Sequence, residues 1–243
     1  MADHFSKLAV HYAASRPHYP VELFSWLASQ CPEQAQAWDC GTGNGQAATA
    51  LAEHFTSVLA SDISQAQLNL APTHANIRYL CADAAHSQLA QHSVDLIVVA
   101  QALHWFNLDS FYAEAKRVLK PSGLIAVGCY GTPQISHPQI ELIFQDFYHN
   151  IVGAYWPAER SHVENGYASL PFPFNPIPTP DFVLEVNWSL AELLGYVQSW
   201  SATGHFIEDK SYNPVDALGE ALAALWPQQQ RVVWAISLRV GKM

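Results

Sequence analysis

The chain is short of charge, and of positive charge above all. Only 13% of its 243 residues are Asp, Glu, Lys or Arg, and 11 Lys and Arg stand against 21 Asp and Glu, a formal net charge of −10. The cations are scattered apart from Lys116, Arg117 and Lys120, so no basic stripe exists to follow a nucleic-acid backbone. Those three fall at the end of a predicted helix, where cations complement the dipole. Cysteine is scarce as well: four residues, Cys31, Cys40, Cys81 and Cys129, with no C-x-x-C pair. Three of them lie in or beside apolar runs, which reads as free core thiols in a reducing compartment. No apolar run reaches the ~18 residues that a membrane-spanning helix needs, so no membrane span is expected. The opening residues lack a basic stretch followed by an apolar one, so no signal peptide is expected and the cytoplasm is the default compartment. The twelve histidines form no H-x-x-x-H pair and no cluster with cysteine, so no metal site is expected. No G-x-S-x-G elbow is present to carry a nucleophilic serine.

What the chain does have is apolar content, 50% of its residues, and a length that suits one domain with a modest elaboration. Its most informative stretch is Trp38-Asp39-Cys40-Gly41-Thr42-Gly43-Asn44-Gly45-Gln46. A short apolar run ends in an acid, three glycines follow on alternate positions, and an alanine-rich helical pattern runs on to Phe55. The pattern is strand, tight turn, helix. Glycine at 41, 43 and 45 permits positive φ and removes the Cβ that would keep a ligand off the backbone. The turn feeds a helix N-terminus, whose free N–H groups favour a carboxylate or phosphate. A dinucleotide fingerprint, G-x-G-x-x-G/A, would need a small residue where Gln46 stands, and Asp39 is a poor neighbour for a pyrophosphate. Asp39 suits a cation. S-adenosylmethionine (SAM) carries an ammonium, a sulfonium and one carboxylate, and matches an acid beside a glycine turn better. The turn alone leaves SAM, a dinucleotide and an empty glycine-rich loop open.

The following strands add to it. Ser57–Ser61 is apolar and closes at Asp62, 17 residues beyond Gly45, near the spacing at which an acid meets ribose hydroxyls. Residues 77–82 form a third strand ending at Asp83, and residues 94–100 a fourth ending at Gln101. Three acids and an amide therefore fall at the carboxyl ends of four successive strands, the crevice where open parallel sheets bind ligands.

In these pieces the chain resembles the class I SAM-dependent methyltransferases. The likeness rests on WDCGTGNGQ, on Asp62-Ile63-Ser64, Ala82-Asp83-Ala84 and Val94-Asp95-Leu96-Ile97, and on Val118-Leu119-Lys120-Pro121-Ser122-Gly123, in that order over roughly residues 35–130. Two flanking pieces, Tyr12 to Pro20 with Arg16 inside, and Gln101-Ala102-Leu103-His104-Trp105-Phe106, are similar to the small-molecule subgroup that includes trans-aconitate methyltransferases. The resemblance implies SAM as cofactor, S-adenosylhomocysteine as product and no metal. Its cofactor site would be Asp39, Gly41, Thr42, Gly43, Gly45, Gln46, Asp62, Ile63, Asp83, Ala84 and Gln101. His104 is the candidate catalytic base or positioning residue. Tyr12, Arg16, Trp105 and Trp156 are candidate substrate contacts, Arg16 as a carboxylate clamp.

The expected fold is α/β: a doubly wound, mostly parallel, Rossmann-like seven-stranded sheet with helices on both faces. The parallel strands are expected in the order 3-2-1-4-5, and the resemblance places the last strand antiparallel between the fifth and sixth. Residues 1–243 read as a single methyltransferase domain. Within it, 35–130 form the cofactor core, 1–30 and 131–180 cap or lid elements, and 181–243 a final strand pair with helices. Helices are expected near 46–55, 64–71, 85–91, 109–119, 139–152, 190–201 and 214–226, and Pro121-Ser122-Gly123 as a turn before the fifth strand. Ser189 with Glu192 reads as a capping box. Residues 153–180, rich in proline and aromatics, and residues 5–19 are expected to roof the crevice. The expected activity is methyl transfer to a small molecule, with a carboxylate the leading acceptor, by a monomer or homodimer. The alternatives are a SAM-binding partner subunit without activity and a protein or nucleic-acid methyltransferase. The acidic charge counts against the last, as does Gln101-Ala102-Leu103-His104 where amine methyltransferases of bases resemble one another in carrying Asn/Asp-Pro-Pro-Tyr/Phe.

Overall fold

The computed structural model describes residues 17–243; Tyr12, Arg16 and most of the front segment lie outside them. Five strands, β1 (Gln36–Cys40), β2 (Ser57–Asp62), β3 (Ile77–Cys81), β4 (Val94–Ala100) and β5 (Leu119–Tyr130), pair in parallel in the order β3-β2-β1-β4-β5. The helices between them are α1 (Val21–Ser29) before β1, α2 (Gln46–Ala52), α3 (Gln65–Leu68) and α4 (Leu108–Val118). Because side chains alternate along a strand, each central strand feeds two cores. Trp38, Cys40, Leu59, Ile97, Val99, Ile125 and Val127 pack with Phe111, Ala115 and Val118 of α4. Ala37, Val58, Ala60, Leu96, Val98, Leu124 and Ala126 pack with Leu23, Phe24 and Leu27 of α1 and Ala47, Ala48 and Leu51 of α2. Near-continuous apolar strands covered on both faces are what a doubly wound parallel sheet requires.

The last strand of the chain, β9 (Gln230–Lys242), runs antiparallel beside β5 and carries β8 (Phe182–Trp188) on its other side. Two short strands beyond the expected seven, β6 (Gln134–Ile135) and β7 (Asn175–Ile177), also pair with β9. A third core lies over β8 and β9, where α5 (Pro138–Asp146), α7 (Leu190–Gln198), α8 (Ser201–Lys210) and α9 (Pro214–Ala223) close around Tyr148, Trp188, Trp200 and Trp234. α7 begins at the expected capping box: Ser189 and Glu192 each hold the other's backbone N–H, satisfying donors that the first turn cannot.

Several elements differ from expectation for identifiable reasons. Residues 85–91 form no helix; the N–H and hydroxyl of Ser87 both donate to Glu114 Oε1, and Gln88 takes φ +60. Pro121-Ser122-Gly123 bulges out inside β5 rather than preceding it, since Val94 pairs with Leu119 and Leu96 with Leu124. Cys81 is exposed on the edge strand while Cys31 is buried. Asp95 is buried mid-strand and is used structurally: its Oδ2 accepts the N–H groups of Ala35 and Gln36 and its Oδ1 accepts Lys120 Nζ at 2.7 Å. Arg117 is likewise taken by Glu114 and the Leu89 carbonyl, so Arg117 and Lys120, two of the clustered cations, serve the fold. The proline-rich half of the insertion does not roof the crevice. β7 pairs with residues 240–242 of β9, level with the start of β5 at Leu124, at the opposite end of the sheet from the strand carboxyl ends. Among the described residues no helix is long and apolar enough to cross a membrane.

Candidate active site

A cavity of about 550 Å³ opens at the carboxyl ends of β1, β2, β3 and β4. Of the expected cofactor residues, Asp39, Gly41, Thr42, Gly43, Gln46, Asp62, Ile63, Asp83, Ala84 and Gln101 all line it. Gly45 does not; it sits behind the wall at φ +87, where a Cβ would lie 2.8 Å from the Tyr79 hydroxyl. Gly41 is similarly closed in, at φ +74 with Ala102 Cβ 2.5 Å from where its own would stand. Gly43 differs. It also has positive φ, but a Cβ there would meet no protein atom within 4 Å. The turn is therefore packed at its two ends and open at its middle, which leaves the backbone at Gly43 available for close approach by a ligand.

Asp39 is fully buried at the end of β1. Its Oδ2 accepts the Thr42 hydroxyl at 2.5 Å, while Oδ1 is buried with no partner in hydrogen-bonding geometry. Burial pushes its pKa up to about 7; the Thr42 hydroxyl and the Ala48 N–H pull the other way, and the charge of Asp62 adds to the rise. Gln101, at φ +58, gives its Nε2 to the Tyr130 carbonyl and leaves Oε1 buried and unpaired. Two buried acceptors without donors thus face one cavity, a costly arrangement without a donor from elsewhere. The pair of acceptors fits an ammonium, which can only donate. Asp62 accepts the Gly43 N–H through Oδ2 and the Ser64 N–H through Oδ1, both at 2.8 Å, so it pins the glycine turn to the end of β2. Burial raises its pKa, and those backbone bonds oppose the rise. Each oxygen keeps a lone pair for a further donor. Asp83 is exposed, with Oδ1 accepting Ala85 N–H. Ile63, 62% exposed, presents an apolar face to the same space.

Trp105 lines the cavity at 37% exposure, but His104 and Trp156 do not reach its wall. His104 points instead to the insertion, where its Nδ1 shares a 2.8 Å hydrogen bond with the Tyr167 hydroxyl. Burial, then the nearby charges of Arg160 and His162, lower its pKa to about 4. Trp156 lies in the aromatic cluster of the third core, stacked with Tyr148 and Trp200. The sequence reading missed part of the wall. Tyr130, which ends β5 as the acids end β1 and β2, follows the same positional rule and could have been found by it; Gln67 and Asn107 gave no such signal. Among the described residues no group of three His, Cys, Asp or Glu could hold a metal.

The strand order, the glycine turn and the acids at the strand ends define a class I methyltransferase architecture. A family model described as a methyltransferase domain matches residues 38–127. A Dictyostelium discoideum protein named as a candidate methyltransferase is 33% identical over 223 residues, covering 90% of this chain and 85% of that protein. The solved structure of a candidate type II methyltransferase from Anaeromyxobacter dehalogenans matches with a TM-score of 0.88 at 39% identity, covering 93% of this chain and 97% of that one. A malonyl-[acyl-carrier protein] O-methyltransferase of Geobacter sulfurreducens is 32% identical over 128 residues, 49% of this chain and 48% of that protein. The chain belongs to the class I SAM-dependent methyltransferase family.

Proposed function

We propose that this protein transfers a methyl group from SAM to the carboxylate of a small molecule. The observation that carries the cofactor half is the pair of unpaired, buried acceptors, Asp39 Oδ1 and Gln101 Oε1, beside a glycine turn whose middle is open. Those two oxygens would take the ammonium. Asp62 would take the ribose hydroxyls, Asp83 the exocyclic amine of adenine, and Ile63 and Ala84 the faces of its ring. Bound there, SAM supplies a methyl on a sulfonium, and its transfer breaks the carbon–sulfur bond as a carbon–oxygen bond forms, the electron pair returning to sulfur as a neutral thioether.

The protein's part is alignment and exclusion of water. A carboxylate acceptor has no proton to lose, so no base is needed. That agrees with a His104 that lies off the cavity wall, is held through Nδ1 by the Tyr167 hydroxyl and, with its pKa lowered to about 4 by burial, is a weak base; its part would be to position the turn that carries Trp105. O-methylation is also the named activity of the Geobacter relative, and the resemblance to the trans-aconitate methyltransferase-like subgroup points the same way. A small acceptor, rather than nucleic acid or protein, is supported by the net charge of −10 and by the engagement of Arg117 and Lys120 in the fold. The enzyme would act in the cytoplasm as a monomer or homodimer, without metal.

Radiolabelled methyl transfer to a panel of carboxylic acids and their amides, with and without EDTA, tests this. The expected result is base-labile methyl ester formed from acids alone and undiminished by EDTA. A protein that binds SAM and labels no acid would overturn the carboxylate acceptor, leaving an inactive partner subunit or a methyltransferase for another class of acceptor. Full loss of turnover in EDTA, restored by one divalent ion, would contradict the metal-free reaction.

A further inference from the structure

Beside the turn carrying His104 and Trp105 lies a cation that the fold does not use up. α6 (Arg160–Glu164) packs against residues 103–105 and against β5. Its first residue, Arg160, is only 17% exposed and stacks over the Trp156 ring at 4.6 Å and the Tyr148 ring at 5.6 Å. Its Nε donates to the Tyr148 hydroxyl at 2.9 Å, and that hydroxyl donates in turn to Glu164. Glu164 itself comes to 3.8 Å from Arg160 Nε, too long for a hydrogen bond. The two Nη groups, the fork that pairs bidentately with carboxylates, make no hydrogen bond to the described residues. Under them, the indole Nε1 of Trp156 is buried without a partner, and an indole N–H can only donate.

We propose that Arg160 and the Trp156 indole N–H form the anion subsite that grips a carboxylate of the methyl acceptor. The proposal rests on the reading of the neighbouring cavity as the cofactor site, and it names the residues that select an acidic substrate; neither lines that cavity, and the link to it is α6, which packs against residues 103–105, with Trp105 on the cavity wall. The aromatic walls suit it. Tyr148, Trp156 and Trp200 pack tilted or edge-on against one another, and the first two rings hold the guanidinium, so little side-chain freedom is lost when it pairs. They also keep water from competing for the charge. The neutral His104 adds no second cation, and the subsite holds one carboxylate rather than a polyanion. A merely structural Arg160 would fasten Tyr148 to Glu164 and leave the indole N–H without purpose.

The test is a ¹⁵N-indole NMR titration. Eight tryptophans give eight indole signals at most, and Trp156→Phe identifies the one that matters. Phenylacetate and glutarate, with phenylacetamide and glutaramide as uncharged counterparts, are added with S-adenosylhomocysteine present, and S-adenosylhomocysteine is titrated separately by calorimetry. The carboxylates should move the Trp156 signal and the amides should not. Arg160→Gln should weaken that response about tenfold or more, as expected for loss of a charge-assisted pair, and Arg160→Lys should restore part of it. Neither variant should alter S-adenosylhomocysteine affinity. A Trp156 signal that ignores saturating carboxylate while S-adenosylhomocysteine binds overturns the subsite and leaves the cofactor reading standing. A Trp156 response without S-adenosylhomocysteine binding supports the subsite and overturns the cofactor reading. A response undiminished in Arg160→Gln also overturns the subsite.

Discussion

The cofactor half and the cap half of this molecule are built from different materials. Between β1 and β4 the cavity wall is backbone, glycine and short acids, each placed by the end of a strand. Between α5 and α9 the packed interior is rings: Trp200 alone contacts Phe144, Phe147, Tyr148, Trp156 and Tyr196. The first kind of wall recognises a fixed ligand through fixed polar atoms. The second is a ring-packed core that holds one cation, Arg160, over Trp156 and Tyr148. The comparison says that cofactor affinity should depend on one half and stability and acceptor choice on the other.

The largest effect should come from breaking the cap. Trp200 is buried at the centre of its ring cluster, and Trp200→Ala should cost about 3–5 kcal/mol of unfolding free energy, measured by urea denaturation, with SAM affinity of the folded fraction unchanged. Loss of SAM binding in the folded variant would erase the distinction between the halves.

Next comes the pH response of the cofactor half. Burial pushes the Asp39 carboxyl up to about 7, well above the ~3.9 of an unfolded aspartate. The folded state therefore holds a proton that the unfolded chain has lost. Its contribution to stability is fully present below pH ~4 and is lost as pH rises through about 7. SAM, by contrast, needs the ionised form. Its association constant should rise about tenfold per pH unit toward neutrality, with one proton released on binding below that point. Calorimetry in buffers of different ionisation enthalpy reads the proton directly, and Asp39→Asn should flatten the profile. A flat wild-type profile between pH 5 and ~7 would show that Asp39 does not face the ammonium.

Asp62→Ala should weaken SAM by roughly tenfold to a hundredfold, the span expected for losing a charged hydrogen bond of about 1.5–3 kcal/mol. Part of that loss comes through Gly43 and Ser64, whose N–H groups Asp62 now holds. A variant that binds SAM like the wild type would displace Asp62 from the site. The smallest stability effect belongs to Gly43→Ala. No protein atom opposes the new methyl, so folding should suffer only the ~1–2 kcal/mol of a left-handed alanine while SAM binding suffers more. Gly41→Ala, which collides with Ala102, should lose stability first. Equal losses of stability in the two would show that Gly43 is packed like its neighbour.

The same contrast explains what could be read without coordinates. The glycine turn and the acids at 39, 62 and 83 were legible because backbone geometry demands those residue types at those spacings, and the strand order followed from the family resemblance they carry. The alternation of Trp38, Cys40, Ile97 and Val99 against Ala37, Leu96 and Val98 carries the two-layer core. The cap was legible only in part. The capping box at Ser189 marked one helix, but α8 has Trp200 as its N-cap with no side-chain cap bond, and nothing local announces it. The proline-rich stretch looked like a roof because its composition is stiff and apolar, whereas its path is set by pairing with residues 240–242 of β9, which lie far along the chain. Arg160 was one cation among eleven. Its isolation between two rings depends on tertiary packing that no spacing rule encodes.

The central claim, that the turn with its buried acid is built for the cation of SAM and not for a pyrophosphate, is tested most directly by calorimetric titration of the wild-type protein with SAM and with NAD at neutral pH. One-site binding of SAM and no measurable heat with NAD are expected. Binding of NAD together with no binding of SAM would contradict it.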